Sequence, residues 1–129
     1  MNRLEEYISQ NGGKITMDMA YAISSLSILE AHSTLAAESV VKELRDQRQN
    51  LKLIASENYS SLSVQAAMGS LLTDKYSEGF PGHRFYAGCD NVDVIESAAV
   101  EKAKKVFGAD HAYVQPHSGA DANLCAYWA

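Results

Sequence analysis

Apolar positions recur most regularly at Val64, Ala67, Met68, Leu71 and Leu72, spaced i, i+3, i+4, i+7 and i+8. This spacing predicts an amphipathic helix, with Ser61 or Ser63 as its cap. Upstream, Asn11-Gly12-Gly13 breaks the chain and separates a short N-terminal segment from a long helical region. Thr16 is the expected N-cap there, Asp18 suits the positive helix end, and Ile23, Leu26 and Leu29 form an apolar face. A further helix is expected from Ser33 to about Gln49. In it Leu35, Val40 and Leu44 are expected to point inward, with Lys42, Glu43, Arg45, Asp46 and Arg48 solvated. Leu51 to Ala55 reads as a short strand. Between Thr73 and Cys89 the periodicity stops, and Pro81-Gly82 fits the centre of a type II turn. Asp90 is then expected to cap a helix bearing Val92, Ile95, Ala99, Ala103 and Val106, which Gly108 ends in a left-handed conformation. Ala112 to Gln115 reads as a strand closed by Pro116, and a last helix follows His117-Ser118-Gly119-Ala120. That helix is still apolar at Ala129, so the chain is expected to be a piece of something longer.

Length and composition narrow the class without naming an activity. The 129 residues suit one domain. A 47% hydrophobic and 21% charged composition is that of a folded chain. The net charge of -5 argues against a nucleic-acid partner. No apolar run approaches the roughly 20 residues that span a bilayer, and the acidic start does not resemble a signal peptide. The expectation is a cytoplasmic protein with no membrane partner. Two cysteines give no disulfide framework, and four histidines show no metal-ligand spacing, so no metal is expected.

Three clusters can carry chemistry. At the expected strand–helix junction, Ser118 and Gly119 offer a hydroxyl, a close backbone approach and free N–H groups to an anion. An ordinary helix cap explains the same residues. Neither a Gly-x-Ser-x-Gly elbow nor a P-loop is present. In the aperiodic loop, Glu78 sits among Tyr76, Phe80, Phe85 and Tyr86. A carboxyl group desolvated by these rings would hold a proton and serve as an acid, whereas a surface glutamate on an aromatic turn would not. Ser56-Glu57-Asn58 follows the expected strand, where polar residues line sites in α/β proteins but also make plain turns.

In order and spacing, four segments resemble the N-terminal signature blocks of serine hydroxymethyltransferases. They are Leu53-Ile54-Ala55-Ser56-Glu57-Asn58, Leu72 to Gly82, Arg84-Phe85-Tyr86-Ala87-Gly88-Cys89, and Val114-Gln115-Pro116-His117-Ser118-Gly119-Ala120. The resemblance runs from about Leu35 to Ala129. It implies an α/β fold of the aspartate-aminotransferase type, mostly helical in this segment. It divides the chain into an N-terminal helical extension (1–34), an arm with the active-site loop (35–90) and the start of an incomplete cofactor-binding domain (91–129).

The implied activity is the pyridoxal-phosphate-dependent interconversion of serine and glycine, with the one-carbon unit carried by tetrahydrofolate. By the same resemblance, Ser118 and Gly119 hold the cofactor phosphate and Ser56 lies at the amino-acid substrate. Glu78 manages proton transfer and meets the folate. Tyr86 assists amine exchange on the cofactor. Tyr76, grouped with the cofactor-binding residues, and Glu78 would reach the partner subunit's site in a homodimer or larger assembly. Departures from the family pattern are Phe85 for a common tyrosine, Ala120 for a frequent serine, and Asp121, which adds a negative charge near the phosphate helix.

The family's cofactor lysine matches none of the seven lysines and is expected beyond Ala129. So are its ring-stacking histidine, its pyridine-nitrogen aspartate and its carboxylate-binding arginine. The isolated chain is therefore expected to be inactive, poorly soluble and rich in open apolar faces. The alternatives are a truncated, non-catalytic module that binds other subunits, or a free-standing phosphate-binding domain.

Overall fold

A computed structural model describes residues 3–129. Length alone suits one domain, but the chain divides into two compact units, Met1–Gln65 and Ala66–Ala129.

The first unit contains α1 (Arg3–Gln10), α2 (Met17–His32) and α3 (Thr34–Gln49), and the first residues of α4 (Leu62–Met68). Gly12 and Gly13 take positive φ values of 61° and 79°, so the expected break after α1 forms. Thr16 caps α2 by accepting from the Met19 N–H at 3.3 Å. Ser33 alone separates α2 from α3. Its N–H donates to Leu29 O at 2.7 Å, closing α2, while its Oγ accepts from the Ala36 N–H at 3.2 Å, opening α3. Helix α2 is in contact with both α1 and α3.

Ile23 and Ala37 are the buried apolar residues of these helices. The inward assignment of Leu35, Val40 and Leu44 needs correction, because all three are exposed. The inner face of α3 centres on Ala37, and Leu35 lies two residues away, about 200° round the helix. Val40 and Leu44 border an apolar groove that Leu26 and Leu29 also line.

Leu51 to Ala55 is irregular, not a strand. A strand needs a paired neighbour for its backbone N–H and C=O groups. Here the chain instead turns, with the Glu57 N–H donating to Ile54 O at 3.1 Å.

The division falls within α4, whose start in the first unit is capped by Ser61, its Oγ accepting from the Val64 N–H at 3.3 Å. The helix ends at Met68 and does not run on to Leu72. Gly69 follows, and Ser70 starts a separate 3₁₀ turn (Leu71–Asp74) by accepting from the Leu72 N–H at 3.4 Å. Strands β1 (Gly79–Phe80) and β2 (His83–Arg84) pair antiparallel, Gly79 with Arg84 and Phe80 with His83. Pro81-Gly82 joins them, and the Gly82 φ of 75° agrees with the turn read from the sequence.

Helix α5 (Asp90–Phe107) starts one residue earlier than expected, with Asp90 inside the helix and not at its cap. Cys89 takes the N-cap position without a side-chain cap bond, and Asp90 and Asp93 place negative charge in the first turn. Gly108 closes α5 at φ 62°. Ala112 to Gln115 is irregular and unpaired, so the strand expected there is not formed among the described residues. Helix α6 (Gly119–Trp128) ends the chain. No helix among the described residues is long and apolar enough to cross a membrane.

Candidate active site

The hairpin is organised by one side chain. Arg84 is drawn inward until its side chain is only 5% exposed. Its Nε donates to Asp93 Oδ1 at 2.7 Å and its Nη2 to Glu96 Oε2 at 2.6 Å. Its Nη1 donates to Ser77 O at 2.6 Å and Gly79 O at 3.0 Å. Asp93 Oδ2 also accepts from the Gly82 N–H at 2.9 Å. The planar guanidinium suits this task because its donors point in fixed, diverging directions. The bonds from Glu96 and Asp93 raise the Arg84 pKa above its ordinary value. The Gly82 N–H and Arg84 together hold Asp93 below the usual aspartate value. Arg84 and Asp93 therefore stay charged across the neutral range.

Gln115 joins the same cluster from 36 positions away in sequence, its Nε2 donating to Gly79 O at 2.7 Å and to Glu96 Oε1 at 2.6 Å. Gly79 has a φ of 102°, and a Cβ there would collide with the backbone oxygen of His83. Only glycine meets both demands. Cys89 is buried, with its thiol directed at Tyr76 O at 3.6 Å.

A cleft of about 630 Å³ opens beside this cluster, lined among others by Lys75, Tyr76, Glu78, Glu96, Gln115 and His117. Tyr76 meets Tyr86 edge to face, with ring centroids 6.5 Å apart. Of the residues singled out from sequence, Tyr76 and Glu78 share the cleft, and Tyr86 adjoins it through the Tyr76 ring. Glu78 is not desolvated by its aromatic neighbours, as the first reading required. It is exposed, and Tyr76, Phe80 and Phe85 are exposed as well, since the hairpin turns their rings outward.

Ser118 is the N-cap of α6, its Oγ accepting from the Asp121 N–H at 3.1 Å. The ordinary cap therefore forms, and the hydroxyl proton remains available to donate. His117, next to Ser118, lines the cleft. Ser56 belongs to the first unit, in the turn closed by the Glu57 N–H. Lys52 pairs with Glu57 at 3.1 Å in the same turn. No group of three or more His, Cys, Asp or Glu among the described residues could hold a metal ion.

Sequence reasoning passed over Arg84, Asp93, Glu96 and Gln115 as working residues. One signal was available. Asp93 and Glu96 are three residues apart on α5, which sets two carboxylates on one helix face. Arg84 is the lone arginine of the aromatic loop and their natural counter-charge.

The family model for serine hydroxymethyltransferase matches residues 29–129. A serine hydroxymethyltransferase of Treponema pallidum (strain Nichols) is 64% identical over 107 residues, covering 83% of this chain and 19% of that protein. One from Mycolicibacterium smegmatis is 56% identical over 114 residues, covering 88% and 23%. One from Chlamydia trachomatis (serovar D) is 53% identical over 126 residues, covering 98% and 25%. The chain thus spans about a fifth to a quarter of the length of these curated relatives. With most of its residues matched and every signature block in place, the chain belongs to the serine hydroxymethyltransferase family.

Proposed function

We propose that this chain serves the interconversion of serine and glycine, with the one-carbon unit passed to tetrahydrofolate. In this reading it supplies part of a cytoplasmic, pyridoxal-phosphate-dependent enzyme of the aspartate-aminotransferase fold type. The observation that carries the reading is the cleft that gathers Tyr76, Glu78 and the segment leading to Ser118.

The residues at the start of α6 fit a phosphate group. Ser118 keeps a hydroxyl proton to donate, and the first N–H groups of α6 lie at the positive end of the helix. Nothing lies within 4 Å of where a Cβ on Gly119 would be, so an anion has room there. Asp121, in the first turn, tempers that attraction. When bound, pyridoxal phosphate supplies an electron sink for bond breaking at the substrate's α carbon.

This chain's own residues would then bind, orient and move protons. Ser118 and Gly119 hold the phosphate, and Tyr76 lines the cofactor's surroundings. Glu78 carries a proton to and from the reacting groups at its carboxyl oxygens and contacts the folate. Tyr86, backed by the Tyr76 ring, orients the substrate amine with its hydroxyl. Ser56 contacts the amino acid. Tyr76 and Glu78 serve the partner subunit's site in a homodimer or larger assembly. Large exposed apolar side chains such as Phe107, Tyr127 and Trp128 supply area for such packing.

A second reading is a non-catalytic module that docks on other subunits, for which the exposed Phe107, Tyr127 and Trp128 would supply the contact area. One experiment separates the two. The protein is captured from its own cell, weighed intact and assayed for folate-dependent glycine formation from serine. The catalytic reading expects a mass several times 14.1 kDa and turnover that Glu78→Gln lowers by about a hundredfold or more. A 14.1 kDa species that binds larger subunits without turnover supports the module and overturns the catalytic reading for this chain.

A further inference from the structure

The backbone around Glu78 is held on three consecutive carbonyls. Ser77 O accepts from Arg84 Nη1 at 2.6 Å, and Glu78 O accepts from the Phe85 N–H at 3.1 Å. Gly79 O accepts from Arg84 Nη1 at 3.0 Å and from Gln115 Nε2 at 2.7 Å. The Glu78 side chain is the opposite case. The residue lines the cleft and is exposed, and nothing hydrogen-bonds its carboxylate among the described residues. The donors of this loop are thus directed at the peptide units on either side of Glu78, and its acid group stays available.

Gln115 is the part of this arrangement that reaches furthest. Both N–H bonds of its amide are engaged, one on Gly79 O and one on Glu96 Oε1 at 2.6 Å, while its own oxygen accepts from the Tyr113 hydroxyl at 3.3 Å. Reversing the amide would set its oxygen against two other oxygens, so one orientation is fixed. Glu96 is the shared anchor, taking Arg84 on Oε2 and Gln115 on Oε1. Gln115 stands two residues before His117 and three before Ser118. Its side chain therefore fastens the segment that leads into α6 to the carbonyl of Gly79, the residue after Glu78.

We propose that Gln115, working with Arg84, is a positioning residue that holds the loop carrying Glu78 and so fixes where its carboxylate stands in the site it serves. This rests on the reading of Glu78 as the proton-carrying group. Proton transfer requires hydrogen-bond reach, and a displacement of about 1 Å can cost about a hundredfold in rate. A side chain that touches no reacting atom can therefore govern turnover by holding a peptide bond in place.

Gln115→Met tests this, because it keeps the length of the side chain and removes both donors. It is studied in the protein as its own cell makes it, by amide hydrogen exchange and by steady-state kinetics. Exchange at the Phe85 N–H is expected to rise about tenfold, while the middle of α5 keeps its protection. kcat is expected to fall about ten- to a hundredfold, with the KM for serine within about twofold. In a Glu78→Gln background the same change should lower kcat by no more than about twofold, since the group being positioned is already gone.

Arg84→Lys is the second variant. Its single ammonium cannot reproduce the diverging bonds, so it should follow the same pattern. Equal losses of kcat in both backgrounds would overturn the proposal by making Gln115 merely structural, and so would unchanged exchange at Phe85. Full turnover in Glu78→Gln alone would instead overturn the role given to Glu78, and exchange at Phe85 would still decide whether Gln115 holds the loop.

Discussion

Helices α2 and α3 are in contact, and Leu26, Leu29, Val40 and Leu44 line an apolar groove. The hairpin β1–β2 and the first turns of α5 are joined through a guanidinium and two carboxylates, with an amide closing the set. In the first region, order comes from long helices, their caps and modest burial, since Ile23 and Ala37 are the buried residues of these helices. In the second, strands of two residues each could not persist by pairing alone, and directional bonds to Arg84 hold them. Non-directional contacts tolerate adjustment, whereas a set of donors aimed at named oxygens does not. Substitutions should therefore be absorbed gradually in the helical pair and abruptly in the hairpin.

The sharpest way to break the contrast is Gly79→Ala. The change forces an L side chain onto a φ of 102° and against the His83 carbonyl oxygen. It should destabilise the hairpin by about 2–3 kcal/mol, seen as a rise of about 30- to 150-fold in hydrogen exchange at Phe85. Helices α2 and α3 should keep their protection.

Acid should act next in size and in the same place. Asp93 sits below its ordinary pKa, so its contribution is complete above about pH 4 and is lost as the pH falls through its own lower value. Arg84 lies above its ordinary value, so its side of the pair is retained throughout. Protection factors at Gly82 and Phe85, corrected for the intrinsic pH dependence of exchange, should stay flat from pH 5 to 8. Below about pH 4 they should drop at least a few-fold. A drop already present at pH 6 would show that another group governs the hairpin.

The smallest effect expected is that of Ser33→Ala. It removes the Oγ cap of α3 and leaves the N–H that closes α2. A loss of about 1 kcal/mol is expected, read as fraying of the first turn of α3 in amide exchange, with Ser33→Asp close to the parent. A change reaching the hairpin would contradict the separation of the two behaviours.

The same contrast explains what could be read from the sequence. The caps at Thr16 and Ser61, the break at Gly12-Gly13, the turn at Pro81-Gly82 and the end of α5 at Gly108 are local matters. Each is settled by residues a few positions apart, and each was legible. The family signature was legible too, because its residues stand in order. The expected strands at 51–55 and 112–115 failed because a strand is a pairing, and the partner is not written in the segment itself. The burial of Arg84 was hidden for a related reason. Its partners lie 5, 7, 9 and 12 residues away, and Gln115 reaches Gly79 from 36. Hydrophobic periodicity carries no information about such bonds, and an arginine in a polar loop reads as solvated until the loop folds over it.

Cys89 and Cys125 differ in a way that has a practical use. The first is 4% exposed and packs its thiol against Tyr76 O at the start of α5, while the second is open to solvent on α6. An alkylating reagent should therefore modify one site at once and the other only when the loop lifts from the helix. The ratio of singly to doubly modified chains becomes a clock for that opening, readable by mass alone.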